Sequence, residues 1–184
     1  MAGACDGRHR LSIECCMAKT KETKSTEMSV KRELLKMLDG GQAHATFEQA
    51  VEGFPPELRG VVSKGLPYSA WQILEHIRLA QLDILEFSNN TDGTYKPMKW
   101  PEAYWPKHAE PPSEGAWDES VRAVLENRKQ FEALIEAASD ATLVMPFAWG
   151  DGQTLFREAM LIIDHAGYHV GELIVLRRLL GAWK

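Results

Sequence analysis

Residues 68–87 read YSAWQILEHIRLAQLDILEF, the clearest helix start in the chain. Ser69 and Gln72 form an S-x-x-Q capping box, in which each side chain satisfies the other residue's orphaned backbone N–H. Tyr68 and Ile73 stand at the positions of a hydrophobic staple. Beyond the cap, Trp71, Ile73, Leu74, Ile77, Ala80, Ile84 and Phe87 define a broad apolar face, which predicts an amphipathic helix.

The same helical period extends on both sides. Toward the N-terminus, Ser29 is a candidate N-cap for a first helix carrying Leu34, Leu35, Leu38, Ala45 and Val51. Gly40-Gly41 interrupts it at a cost of roughly 1 kcal/mol per Gly relative to Ala, and marks a kink or a close approach by a neighbour. Gly53-Phe-Pro-Pro56 stops it. Toward the C-terminus, Val121, Val124, Leu125, Phe131, Leu134 and Ile135 predict a third helix from about Trp117 to Ala138. Thr154 caps a last helix that runs to about Leu180, where Gly181 is the expected stop. Only a weak alternation near Leu143 to Trp149 suggests a strand. The expectation is an all-α protein, a four-helix bundle with long crossover loops.

Composition agrees. The chain has 184 residues, 45% hydrophobic and 26% charged, which suits one globular domain that needs no disulfides. Acidic residues outnumber basic ones, 26 to 21, so the net charge is −5. No basic run stands out, which argues against a general nucleic-acid binder. No stretch of roughly 18 uncharged apolar residues predicts a membrane span. All three cysteines (Cys5, Cys15, Cys16) lie in the first sixteen residues, and the Cys-free body fits a reducing cytoplasm. Glu14 interrupts the most apolar N-terminal piece, so no signal peptide is expected. Residues 1–28 read as a flexible extension, with Met17 and Met28 as alternative initiators, ahead of a bundle domain over 29–184.

Residues 88–116 depart from the pattern. They hold five of the nine prolines (Pro97, Pro101, Pro106, Pro111, Pro112) and four large aromatics (Tyr95, Trp100, Tyr104, Trp105). Proline forbids a regular helix, yet so many aromatics are unusual in a free linker. Such a segment is either an ordered crossover packed on the bundle or a loop that walls a pocket or a dimer contact.

The chemistry concentrates on histidines. In the last helix His165 and His169 are four apart, so both imidazoles leave one face. That spacing can supply two ligands to a divalent metal, but the intervening Ala-Gly-Tyr lacks the glutamate of an H-E-x-x-H zincin. His76 lies on the inward stripe Ile73–His76–Ala80–Ile84–Phe87 of the second helix. Three histidines are thus directed into one interior, where an unpaired polar ring is costly. A shared metal would satisfy all three; a hydrogen-bonded histidine cluster is the alternative.

These residues resemble the DinB/YfiT-like superfamily of bacterial four-helix proteins. The matching pieces are Trp71-Gln-Ile-Leu-Glu-His76-Ile-Arg, Tyr104-Trp105-Pro106, Gly152-Gln-Thr154 and His165-Ala-Gly-Tyr-His169-Val-Gly-Glu-Leu173, closing on Arg177-Arg178-Leu-Leu-Gly-Ala-Trp183, over about residues 29–184. The resemblance implies a divalent metal on His76, His165 and His169, and frequent homodimers. Glu172 departs from the family, where Gln is common. Some relatives are bacillithiol S-transferases or the mycothiol-dependent maleylpyruvate isomerase; many have no assigned activity, and fold alone does not decide function.

Three neutral His ligands leave a dication its full charge, so it can lower the pKa of bound water toward about 7 or hold a thiolate. Zinc or nickel is the expected ion, with a low-molecular-weight thiol as a second cofactor. Glu172 is the candidate catalytic carboxylate, or it orients a ligating imidazole; Glu158 and Asp83 are lesser candidates. His44 is not taken as a ligand, and His9 and His108 read as surface. Tyr168 is expected in core or dimer packing, and Arg177-Arg178 at the helix C-terminus. Two functions are consistent with this: a metal-dependent enzyme performing S-transfer or hydrolysis on a small molecule, and a non-catalytic metal- or ligand-binding bundle, stress-related or structural. Either is expected as a cytoplasmic homodimer acting without nucleic acid or membrane.

Overall fold

In the computed structural model, which describes residues 29–183, the helix start at Ser69 forms as its sequence predicts. Gln72 N donates to Ser69 Oγ (3.2 Å), and Ser69 N donates to Gln72 Oε1 (3.1 Å). Number helices in chain order: α1 Val30–Asp39, α2 Phe47–Val51, α3 Ala70–Ser88, α4 Ala116–Ala137, α5 Asp140–Leu143 and α6 Leu155–Leu179, with single 3₁₀ turns at Pro56–Leu58 and Glu102–Tyr104. The long helices α1, α3, α4 and α6 make the bundle; α3 packs most extensively on α4 and α6.

The first predicted helix is in fact two. Gly40 and Gly41 both have positive φ (75° and 71°), and a right-handed helix cannot pass through two such residues. The chain restarts at Thr46 with a second capping box, Gln49 N to Thr46 Oγ1 (3.2 Å) and Thr46 N to Gln49 Oε1 (2.9 Å). Ser29 occupies the N-cap position of α1, but its hydroxyl makes no capping bond. The weak strand near Leu143 does not form: Ser139 caps the short α5, and the segment keeps one isolated bridge between Pro146 and Thr154. Thr154 caps α6 by accepting from Arg157 N (3.1 Å). Gly181 (φ 70°) ends it in a Schellman motif, with Gly181 N to Arg178 O (3.1 Å) and Ala182 N to Arg177 O (2.8 Å).

By length and apolar composition α6 could cross a membrane, although Asp164 and Glu172 interrupt it. Within the bundle it behaves as a central core helix, with Ala159, Leu173 and Leu176 fully buried. Arg177 extends from it to clamp the end of α2. Its guanidinium Nη1 donates to the carbonyls of Gln49 (3.3 Å), Ala50 (2.9 Å) and Glu52 (2.9 Å), and its Nε and Nη2 donate to Ala182 O. This is a structural role, met by orphan carbonyls of α2 and not only by the dipole of its own helix.

Burial divides into two apolar clusters. One gathers Phe54, Trp71, Leu74, Trp117, Leu173 and Leu176; the other gathers Leu34, Leu85, Phe131, Ile135, Ala159 and Ile162. Along α3 the first cluster takes residues up to Ile77 and the second takes Ile84 and Leu85. Along α6 the order reverses, with the second ending at Ile162 and the first beginning at Val170. Gln81 of α3 and His165 and His169 of α6 fall between the two clusters along their helices, and His76 lies at the edge of the first.

Candidate metal centre

His76, His165 and His169 meet where the two clusters separate. One ring nitrogen from each lies within 4.8 Å of the others, and the ring centroids are 4.4–4.8 Å apart. His76 and His169 are buried and His165 half-buried. Burial pushes all three below the ordinary imidazole range, His165 and His169 to about 4, and for His165 the neighbouring histidines add to the effect. The cluster is therefore neutral at pH 7, the state in which imidazole binds a metal.

Two of the rings are held in a fixed tautomer. His76 Nδ1 lies 3.0 Å from Tyr104 O, and a carbonyl can only accept, so Nδ1 carries the proton and Nε2 presents its lone pair. His169 Nδ1 donates to Glu172 Oε2 at 2.7 Å, with the same consequence. His165 Nε2 is 3.0 Å from His76 Nε2. With His76 Nε2 as the acceptor, His165 Nε2 donates this hydrogen bond, so the structure shows the hydrogen-bonded histidine cluster, and a bound dication would take the place of that proton. The histidines fit a divalent metal, and the backing of imidazole N–H by a carbonyl and a carboxylate is the support that metal-ligating histidines usually have.

The aromatic crossover walls this centre. Trp105 stacks on His76 (3.8 Å between centroids, 7° between planes), and Tyr68 stacks on the other face of Trp105 (3.8 Å, 15°). The crossover is also an ordered strap: Gln72 Nε2 donates to Pro106 O (3.0 Å), and the hydroxyls of Tyr95 and Tyr104 donate to the two oxygens of Asp83 (2.9 and 2.7 Å). Residues 88–116 are thus an ordered crossover packed on the bundle, and the strap that packs on α3 brings Tyr104 O and Trp105 to His76.

The other candidate residues lie elsewhere. Asp83 does not reach the histidines, since its carboxylate is taken by the two tyrosines of the strap. Glu158 is 2% exposed and pairs with Arg157 (2.6 Å), two helical turns below His165. Glu172 alone touches the triad, through His169. His44 is exposed, with Nδ1 against Ala45 O (2.8 Å), and is outside the triad. His108 is exposed, and Tyr168, expected in core or dimer packing, is not in the core: it is 65% exposed because its position on α6 faces away from it. His9 and the three cysteines lie outside the described residues. Two participants were not singled out from sequence. The Tyr104 carbonyl is a backbone group with no residue signature. Gln81 is a polar residue on the inner side of α3, five past His76, which its place among apolar neighbours could have flagged.

A family model of the DinB superfamily matches residues 41–173, most of the chain. The chain belongs to the DinB superfamily. No curated protein and no solved structure matches it. The matched region includes all three histidines, the strap and Glu172. This DinB-superfamily chain thus has an all-helical fold and a histidine triad that could hold a metal ion.

Proposed function

We propose that this chain is a divalent-metal-dependent enzyme in which His76, His165 and His169 hold the metal, zinc or nickel, and a low-molecular-weight thiol or a water is activated for S-transfer or hydrolysis on a small molecule. The observation that carries the reading is that one ring nitrogen from each of His76, His165 and His169 lies within 4.8 Å of the others, while Nδ1 of His76 and of His169 is already engaged and leaves Nε2 for a ligand. A bound dication would supply Lewis acidity, yielding a nucleophile at neutral pH. The chain's own groups supply the rest. Tyr104 O and Glu172 orient the imidazoles, so Glu172 serves as a positioning residue through His169. Trp105 shields one side of the His76 ring from water. The Cys-free body supports a cytoplasmic setting. The exposed Tyr168, Val175 and Leu179 on α6 support a homodimer.

A second reading, a non-catalytic metal- or ligand-binding bundle, is favoured by one observation. Each carboxylate considered as a base is already engaged: Asp83 by two tyrosines, Glu158 by Arg157 and Glu172 by His169. Metal content separates the outcomes. Purified wild type is expected to carry near-stoichiometric metal that the His76→Ala/His165→Ala variant loses, with its helical content retained. No metal after reloading with zinc and with nickel would overturn both metal readings. Turnover in a screen of thiols and electrophiles, absent in His76→Ala, supports the enzyme; stabilisation by metal with no thiol or substrate dependence supports the second.

A further inference from the structure

Beside the triad, at the level where the two apolar clusters separate, lies a cavity of about 170 Å³. Ile77 and Ile84 of α3, Val124 of α4 and Ile162 of α6 form its apolar walls, and His165 lies at its margin. The loop from Gly40 to Thr46 forms its outer side. That loop lies close on α6: a Cβ added at Gly167 would come within 3.3 Å of His44 Nε2.

One polar side chain in this wall is unexplained by the fold. Gln81 is 6% exposed and lines the cavity, yet its Oε1 has no hydrogen-bond partner. A buried amide oxygen without a partner costs free energy that a fitting ligand group would recover. The apolar walls and the size limit what that ligand can be. An apolar cavity of about 150 Å³ in another protein takes benzene. The space here is of the same order and mostly apolar, with Gln81 on its wall and the polar side chains of Arg128, His44 and Thr46 also on its lining; Arg128 is already paired with Glu48.

We propose that this cavity binds a six-membered apolar ring, aromatic or alicyclic, bearing one hydroxyl or similar hydrogen-bonding group that pairs with the Gln81 amide, and that the ring is held against His165. This rests on the proposed metal-dependent function for its meaning as a substrate subsite, where it names an apolar ring as the part of the substrate recognised next to the metal. As a binding site it stands on the cavity and Gln81 alone.

The probes are phenol and benzene, titrated into the full chain, metal-free and then metal-loaded. Binding is followed by NMR shifts of the Ile84 and Ile162 methyls and the His165 ring. Phenol is expected to shift all three saturably and to bind about tenfold more tightly than benzene, the value of one net hydrogen bond. Gln81→Leu should weaken phenol about tenfold and leave benzene unchanged, and Ala166→Phe, which fills the space from α6, should abolish both. Absence of saturable shifts with either probe overturns the proposal, as does an unchanged phenol-to-benzene ratio in Gln81→Leu. If that variant does not fold, loss of binding in a folded Ala166→Phe supports the site and its retention overturns it. Ring binding in a protein that takes up no metal leaves this site standing and sinks only the metal reading. A metal-loaded protein that binds no ring sinks only this one.

Discussion

Replacing Asp83 with Ala removes the carboxylate that both strap tyrosines use. Hydrogen bonds to a charged acceptor contribute about 1.5–3 kcal/mol each, and these half-buried ones belong at the lower end because the freed hydroxyls can reach water. Two such bonds come to about 3 kcal/mol. For a domain of this size that is a fall in Tm of about 6–12 °C, read by calorimetry or circular dichroism. Asp83→Ala and Tyr104→Phe should be non-additive by about 1 kcal/mol, because the second removes a bond that the first has already broken. The two tyrosines separate stability from site geometry. Tyr104 carries the carbonyl that accepts from His76 Nδ1 (3.0 Å), whereas Tyr95 does not touch the triad. Asp83→Ala and Tyr104→Phe should therefore weaken metal binding about tenfold, in the range for loss of support behind a ligating histidine. Tyr95→Phe should lower Tm comparably and leave metal affinity unchanged. A Tm loss below about 2 °C for Asp83→Ala, where about 3 kcal/mol is lost, or full additivity with Tyr104→Phe, would refute the reasoning.

Arg177→Met should destabilise by about 3–5 kcal/mol, measured by urea denaturation, because it leaves buried carbonyls of α2 without donors; Arg177→Lys should recover little, since an ammonium cannot span carbonyls of two segments as the fork does. In the metal-free protein, stability should fall as pH drops from about 6.5 to 4. The unfolded histidines protonate near pH 6.5 while His165 and His169 in the fold stay neutral until about 4, so the unfolded state binds more protons across that window. Glu48 and Glu75, partly buried carboxylates held below their ordinary range, add to the loss only below about pH 4.5. His165→Asn should flatten the slope between pH 6.5 and 5, and an unchanged slope would show that other groups control it.

What the sequence by itself determined were the features written in local spacing. The capping box at Ser69, the cap at Thr154, the apolar period and the Gly181 stop are set by contacts within one turn, so α3, α4 and α6 are placed to within a residue or two. The alignment of His165 with His169 follows from the helical repeat alone, and His76 shares the inward stripe of its own helix. The break at Gly40-Gly41 was visible as a pair of glycines, but whether they bend a helix or end it depends on their φ, which the neighbouring loop and the Thr46 box set together. Only the tertiary structure decided which carboxylates serve the site. Asp83, Glu158 and Glu172 are equivalent by helical phase, yet the strap claims the first, Arg157 the second, and His169 the third. It also decided that a backbone carbonyl from residue 104 fixes the His76 tautomer and that Gln81 borders a cavity. These depend on where the crossover over residues 89–115 lands and on how two apolar clusters fail to meet, and no local pattern encodes a distance between segments far apart in the chain.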